Sequence, residues 1–199
     1  MIESIQLDLA TQNDAQELLN IYAYYVKQTA ITFEYTVPSL EQFQERIRHT
    51  LTAYPYLVAK RKNEILGFAY TGPFNKRAAY QWNAETSIYL KQGELKKGGG
   101  ALLYRALEQL SRAQNIVNLN ACLSYHDLED VRLPKSSYYF HQRRGFKQVA
   151  HFHQCGYKFD RWYDMIWMEK RIQTPPPSPK LFIPFPDLDP SVFINSIKR

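Results

Sequence analysis

The segment SIYLKQGELKKGGGALLYRAL, residues 87–107, decides the fold of this 199-residue chain. The stretch 81–90 alternates like a strand, and a loop follows it that ends in Gly98, Gly99 and Gly100. A helix N-terminus offers free backbone amides and a partial positive charge, and glycine lets an anion approach them. Lys96 and Lys97 add positive charge. The segment therefore predicts a pyrophosphate site, although three glycines alone also fit a flexible surface loop. The apolar positions of the predicted helix recur at helical spacing: Leu102, Leu103, Ala106, Leu107 and Leu110.

Working outward, the apolar periodicity predicts an α/β domain in the order β-α-α-β-β-β-α-β-α-β-β. Ser39 followed by Gln42 resembles a capping box and predicts the start of the second helix. Lys62 and Asn63 are the predicted turn between two strands. A short helix is predicted around residues 136–144, ending at Gly145, and two strands are predicted near 146–159 and 162–169.

The composition changes after Arg171, where QTPPPSPKLFIPFPDLDP contains most of the prolines of the chain. Proline lacks the amide donor that helices and sheets use, so the tail is expected to be extended. We predict a domain over 1–171 and a Pro-rich extension over 172–199. The extension is either a disordered end or a strap that packs on the body, with a partner-binding motif as a further alternative. The apolar side chains of the strap are Leu181, Phe182, Ile183 and Phe185.

The overall composition narrows the functional classes. No apolar run approaches the roughly 20 residues of a membrane helix, and no signal peptide is visible, so a cytoplasmic protein without a membrane partner is expected. The formal net charge is +6 with dispersed basic residues, which leaves a nucleic-acid-binding module as a weaker alternative. No metal is expected, because Cys122 and Cys155 are not in a CxxC pair and His151 and His153 lack a third ligand.

Several stretches together resemble a known family. Residues 87–107 resemble the acetyl-CoA motif of the GNAT superfamily, and other segments resemble its phosphinothricin acetyltransferase-like branch. The similarity covers roughly residues 3–170. It implies a mixed, centrally splayed sheet flanked by helices, acetyl transfer from acetyl-CoA to a primary amine, and a homodimer. The segments are TAITFEYTVPSLEQFQERI, YPYLVA, GFAYTGPF with RAAY, ETSIY, FHQRRGF and CGYKFDRWYDMIWMEK.

The resemblance assigns roles residue by residue. Glu85 matches the general base, and His141 the helix residue near the thiol. The amides from Lys96 to Ala101 are implied to bind the pyrophosphate. The other implied positions are the pantetheine strand Ser87, Ile88, Tyr89 and Leu90, the nearby Ser137, and the acceptor pocket Phe33, Glu34, Phe74 and Arg77. Leu95 departs from the motif, which expects Gln or Arg there, and the segment from Asp127 to Leu133 resembles an insertion.

The implied chemistry fits these residue types. An ammonium has no lone pair, so a carboxylate such as Glu85 must accept its proton. A histidine with a pKa near neutrality, such as His141, can protonate the leaving thiolate. Arg77 suits the carboxylate of a small amino-acid-like acceptor such as phosphinothricin or a methionine sulfone or sulfoximine. The alternatives are an acetyltransferase for a polyamine or a protein N-terminus, and a non-catalytic acyl-CoA-binding regulatory protein.

Overall fold

The computed structural model describes residues 4–128 and 130–197. The first three residues of the predicted domain, Glu129 of the predicted insertion and the last two residues of the extension lie outside the described residues. The strands are β1 (Gln6–Leu9), β2 (Tyr56–Arg61), β3 (Glu64–Pro73), β4 (Asn83–Leu90), β5 (Asn118–Tyr125), β6 (Lys147–Lys158) and β7 (Arg161–Arg171). The helices are α1 (Ala15–Gln28), α2 (Leu40–Leu51), α3 (Gly99–Ala113), α4 (Ser136–Arg143) and α5 (Pro190–Ile197).

The seven strands form one mixed sheet in the order β1-β2-β3-β4-β5-β7-β6, which confirms the predicted fold class. Alternate residues of a strand point to opposite faces of a sheet. Accordingly, Tyr56 and Val58 of β2 belong to the core cluster that contains α1 and α2, whereas Leu57 and Ala59 pack against α3. Both faces of the sheet are therefore covered by helices, and the element order matches the prediction up to β7.

The sheet divides at its centre. The strands β4 and β5 are the parallel pair, and they pair only where Asn83–Glu85 lies beside Asn118–Asn120. Beyond this point the strands separate, as a centrally splayed sheet requires. The hydroxyl of Thr86 donates to the carbonyl of Asn120 at 3.1 Å and marks the point of separation. The backbone groups beyond that point face a gap instead of a neighbouring strand.

The predicted capping box is present at the start of α2. The Gln42 amide donates to Ser39 Oγ at 3.1 Å, and the Ser39 amide donates to the Gln42 side-chain oxygen at 2.9 Å. Together the two bonds satisfy backbone donors that a helix start leaves free. None of the described helices combines the length and the apolar character needed to cross a membrane.

The Pro-rich extension packs on the domain as a strap. Its backbone carbonyl at Lys180 accepts from the Trp82 indole at 2.7 Å, and the Phe182 ring lies 5.1 Å from the ring of Tyr54. Phe185 packs in the α3 cluster, whereas Leu181 is 73% exposed, so the expected packing of Leu181 is wrong. The extension also ends in a helix that was not predicted, α5, whose Val192 and Phe193 join the α3 cluster.

Candidate active site

A cleft opens where β4 and β5 separate. Its walls are Ser87–Tyr89 of β4 and Cys122–Tyr125 of β5, and it holds about 620 Å³ of space, part of it open to solvent. The loop and helix that follow β5 close one side. These segments contribute Leu133, Pro134, Lys135, Ser137, Tyr138 and His141. The cleft is thus a narrow channel with strand backbone along one wall, and it contains the predicted positions Ser87, Ile88, Tyr89 and Ser137.

The directions of the backbone amides and carbonyls of β4 determine which of them can bind a ligand in the cleft. Lys91 donates its amide to the Leu66 carbonyl of β3, so the groups of Leu90, one residue earlier, point the other way. The Tyr25 hydroxyl occupies both backbone groups of Leu90. The Leu90 carbonyl accepts from this hydroxyl at 2.7 Å, and the Leu90 amide donates to the same oxygen at 3.3 Å. Leu90, predicted to pair with pantetheine, therefore already has a partner. By the same alternation, Ile88 directs its amide and carbonyl into the cleft.

The predicted phosphate loop is the N-terminus of α3. Gly98 is the residue before the helix and has a left-handed φ of 95°, a conformation that glycine adopts without steric cost. Gly99 and Gly100 form the first turn. A Cβ on Gly100 would lie 3.3 Å from both Ile88 and Phe140, so the absence of a side chain lets the helix start pack tightly against β4 and α4. The first turn of α3 therefore lies directly against Ile88, a residue of the cleft wall.

The surroundings of this helix start are positively charged. A groove beside Gly98 is lined by Lys97, Arg105, Arg143, Arg144 and Lys170. Lys97 pairs with Glu94 at 3.0 Å and Lys170 with Glu108 at 2.5 Å. The three arginines have no ion-pair partner among residues 4–128 and 130–197. Unpaired guanidinium groups beside free helix amides form a site for a multiply charged anion. Lys96 and Ala101 flank the same turn.

Glu85 is the last residue of β4 that pairs with β5, where it lies opposite Asn120, and on its other side it lies opposite Gly72 of β3. Burial raises the pKa of its carboxyl above the usual value. The carboxylate has no hydrogen-bond or ion-pair partner within the described part of the chain. Burial and the nearby charge of Glu85 raise the pKa of the Cys122 thiol to about 12. Glu85 is not among the residues that line the cleft, but the next residue, Thr86, is. A partly desolvated carboxylate without a partner in the described chain, one residue from the cleft, has the environment of a general base.

The surroundings of His141 differ from the prediction. The residue is 2% exposed, and burial lowers its pKa to about 4, so the premise of a pKa near neutrality is wrong. Its Nδ1 lies 2.8 Å from the Ser137 carbonyl, which only accepts, so this nitrogen carries the proton. In the neutral ring, Nε2 then accepts from the Tyr104 hydroxyl at 2.6 Å. Tyr104 Oη also lies 3.1 Å from Thr86 Oγ1. Because its one proton goes to His141, Tyr104 can only accept from Thr86, when that hydroxyl turns away from the Asn120 carbonyl. This contact links α4 to the point where the strands separate.

Of the predicted acceptor residues, Phe74 lies nearest the mouth of the cleft. Its amide donates to the Asn83 carbonyl at 3.4 Å, two residues before Glu85. Its ring contacts the Trp167 ring edge-on, with centroids 5.4 Å apart. Trp167 pairs with Cys122 of β5, so the two rings span the strands around Glu85. This arrangement forms an aromatic wall suited to a small apolar side chain.

The other three acceptor residues have different environments. Phe33 packs so closely that a Cβ on Gly156 would meet its ring at 2.3 Å, and it lies in the cluster with Tyr163. Glu34 forms an ion pair with Arg46 at 2.8 Å. Arg77 is exposed in the loop between β3 and β4, and its side chain has no partner within the described segments. The structure thus places Phe33 mainly in the core and leaves Arg77 free.

Several residues of the site were not singled out from the sequence. Tyr104 is an ordinary helix residue by pattern, and only its contact with His141 reveals its role. Tyr70 of β3 hydrogen-bonds Ser87 through its side chain, and burial raises its pKa. Trp167 was part of a segment quoted for the family resemblance but had no assigned role. Partners across a sheet depend on strand order, which one sequence does not display.

The splayed sheet, the glycine-rich helix start and the cleft between them define an acetyltransferase fold. Residues 7–167 match the family model described as the acetyltransferase (GNAT) domain, and the chain belongs to this family. The predicted resemblance and enzyme class, a GNAT-type N-acetyltransferase, are confirmed.

Characterised relatives show which branch the chain is similar to. It is 25% identical over 176 residues to phosphinothricin N-acetyltransferase of Streptomyces viridochromogenes, covering 88% of this chain and 92% of the relative. It is 29% identical over 164 residues to the L-methionine sulfoximine/L-methionine sulfone acetyltransferase of Pseudomonas aeruginosa, covering 80% and 90%. The phosphinothricin acetyltransferase of Sinorhizobium meliloti, solved in complex with acetyl-CoA, superimposes with a TM-score of 0.79 at 26% identity, covering 91% of this chain and 98% of that one.

Proposed function

We propose that this enzyme transfers an acetyl group from acetyl-CoA to the primary amine of a small amino-acid-like acceptor. The observation that carries the proposal is Glu85, an unpaired carboxylate of raised pKa at the point where β4 and β5 separate. The relatives named for phosphinothricin and for methionine sulfoximine or sulfone support the acceptor class.

Acetyl-CoA fits the cleft as the donor substrate. Its pyrophosphate suits the free amides from Lys96 to Ala101, and its remaining phosphate suits the arginines of the basic groove. The amide-containing pantetheine arm suits the backbone groups of Ile88 that face the cleft. An amide of the same strand is also positioned to stabilise the oxyanion that forms when the amine attacks the thioester carbonyl.

Glu85 is the proposed general base. The acceptor enters as an ammonium ion, and the carboxylate removes one proton, directly or through a water molecule, before the nitrogen attacks. The desolvation that raises the pKa of Glu85 brings it closer to the pKa of the amine, which makes the proton transfer less unfavourable. Attack forms the C–N bond, and the C–S bond breaks to release the thiolate of CoA. The attacking nitrogen then loses its second proton to this thiolate or to water, which leaves the neutral amide.

The role of His141 changes from that of an acid to that of a positioning residue. A ring with a pKa of about 4 is neutral at pH 7 and has only the proton that it donates to Ser137. A thiolate with a pKa near 8.5, by analogy with cysteine, is a stable enough leaving group to depart without an acid. We propose that His141 and Tyr104 hold Thr86 where the two strands separate.

The acceptor carboxylate has two candidate partners. Arg77 is exposed and unpaired within the described chain, so it is free to form a bidentate pair with a carboxylate. Arg46 lies on the same side of the sheet as Tyr70 but is paired with Glu34. We therefore propose Arg77 as the anchor. An arginine that binds the acceptor in this way also disfavours a polycationic acceptor such as a polyamine.

The testing experiment measures release of the CoA thiol from acetyl-CoA. The panel contains amino acids, their sulfone, sulfoximine and phosphinic analogues, polyamines and short peptides. We expect turnover with an amino-acid analogue, and a higher KM for that acceptor with a nearly unchanged kcat in Arg77→Ala. Lys76→Ala, which removes a neighbouring charge of the same exposed loop, is the matched control.

Each alternative function has its own outcome in this assay. Turnover restricted to polyamines or peptides would establish the alternative acceptor classes. Binding of acetyl-CoA without turnover on any amine would favour a regulatory acyl-CoA-binding protein. Failure to bind acetyl-CoA at all would refute the proposal. The remaining alternative is a nucleic-acid-binding module. It is tested by measuring the binding of nucleic acid at two salt concentrations.

A further inference from the structure

A cluster of two histidines and a carboxylate lies outside the cleft, where β6 and β7 pair irregularly. Phe152 pairs with Met165 and Gly156 with Tyr163, so three residues of β6 face Asp164 alone. Gln154, inside this bulge, has a left-handed φ of 47°. The bulge places His151 and His153 over Asp164, with the two imidazole centroids 4.1 Å apart. The sequence showed the two histidines, and Asp164 of β7 is the third group that it did not reveal.

The potential ligand atoms converge on one point. His151 Nε2 lies 2.6 Å and His153 Nδ1 3.3 Å from Asp164 Oδ2, and one ligand atom from each of the three residues lies within 4.8 Å of the other two. A tetrahedral zinc site with bonds of about 2.0–2.1 Å has ligand atoms roughly 3.4 Å apart. The His153 separation already matches this value. The His151 hydrogen bond has to lengthen by less than an ångström.

Neighbouring residues orient the three potential ligands. The Gln154 amide donates to Asp164 Oδ1 at 2.8 Å, which orients the carboxylate and leaves Oδ2 for a ligand. The Tyr125 ring packs edge-on to His151 at 5.4 Å and fixes its plane. The His153 side chain is 75% exposed and leaves one side of the cluster open to solvent.

We propose that His151, His153 and Asp164 bind a divalent cation of the zinc type. Two imidazole nitrogens and one carboxylate oxygen suit Zn²⁺ and similar late first-row ions, whereas Ca²⁺ and Mg²⁺ need oxygen ligands. A water molecule completes the tetrahedron on the exposed side. The ion would tie the edge strand β6 to β7 across a bulge where regular strand pairing is lost. This inference does not depend on the acetyltransferase activity.

The test uses the full chain without an affinity tag, after chelator treatment. Calorimetric titration with ZnCl₂ is expected to show one saturable site. At free zinc 100-fold above Kd, the melting temperature should rise by roughly 5–11 °C. Co²⁺ in the same site should show the visible absorption bands of a tetrahedral complex.

Variants separate this site from adventitious binding. His153→Ala, at an exposed position, is expected to weaken binding at least about tenfold, because even outer-shell changes cost that much. Replacing both His151 and His153 with Ala should abolish zinc binding. Two control variants should bind zinc as the wild type does. His49→Ala removes an exposed imidazole elsewhere, and Cys155→Ser removes the exposed thiol within the bulge. Absence of a saturable site, unchanged affinity in His153→Ala, or loss of binding in Cys155→Ser would each overturn the proposal.

Discussion

Replacing Glu85 by glutamine separates catalysis from folding with one substitution. The amide keeps the shape of the side chain but cannot accept a proton from the amine. Loss of a general base lowers kcat by about 10²- to 10⁴-fold, which corresponds to roughly 2.7–5.4 kcal/mol of lost transition-state stabilisation. Because the wild-type carboxylate has no hydrogen-bond partner in the described chain, the substitution takes no acceptor away from a neighbouring donor.

The stability of the same variant is expected to change in the opposite direction. Burial raises the pKa of Glu85 in the folded state, so the folded protein holds this proton more tightly than the unfolded chain. The contribution of the group to stability is fully present below the unfolded pKa and is lost as the pH rises through the folded pKa. At pH 7 the ionised carboxylate therefore destabilises the fold. Glu85→Gln should remove that cost and raise the melting temperature slightly.

The assay compares kcat, measured by thiol release at saturating acetyl-CoA, with melting temperature at pH 7. Glu45→Gln is the matched control, since Glu45 is exposed on α2 and the hydrogen bond from Arg48 lowers its pKa. Glu45→Gln should keep full activity and have a slightly lower melting temperature, whereas Glu85→Gln should lose activity and have a slightly higher one. A fall in kcat of less than about threefold would exclude Glu85 as the base. A lower melting temperature with a parallel loss of activity would instead indicate a structural residue.

Three further predictions follow from other parts of the molecule. His141 has a folded pKa of about 4 against 6.5, so stability should fall by about 3 kcal/mol as the pH decreases from 6.5 to 4, and denaturant titrations of His141→Gln should lack this loss. Gly156→Ala places a methyl group 2.3 Å from the Phe33 ring and should cost about 1–3 kcal/mol by the same method, a loss that Phe33→Ala in the same chain should partly recover. The homodimer that the family resemblance implies should be detected by light scattering as twice the mass of one chain. Because large apolar side chains on β6 and β7 are exposed, including Trp162 at 53%, Trp162→Asp should shift it toward monomer, and an unchanged mass would place the interface elsewhere.

The sequence was sufficient for the order of the elements because periodicity is a local property. Alternation predicted the strands, and the spacing of leucines predicted α3 with its glycine-rich start. The capping box of Ser39 and Gln42 was predicted for the same reason, since both partners lie within one turn. The terminal helix α5 was missed because the prolines before it indicated an extended chain. Its Val192 and Phe193 pack on α3, about 85 residues away in sequence.

The candidate site was predictable only in part. The position of Glu85, on the strand before the phosphate loop, favoured it as the general base, and this role stays a prediction. The environment of His141 was not predictable, because its burial and its bond to Tyr104 require α3 and α4 to pack together. Leu90 shows the same limit, since the hydroxyl that occupies its backbone groups comes from α1. Whether a side chain is free or already paired is decided by neighbours distant in sequence.

The sequence by itself determined the element order, the helix start that suits an anion, and the family resemblance that the comparisons confirm. Tertiary structure decided which polar groups have partners. It neutralised His141 by burial and placed Asp164 beneath two histidines on the neighbouring strand. It also left Glu85 without a partner among residues 4–128 and 130–197. The physical reason is that periodicity and capping act over a few residues. Desolvation, pKa and ligand convergence depend instead on distances that exist only after strands β4 to β7 have paired.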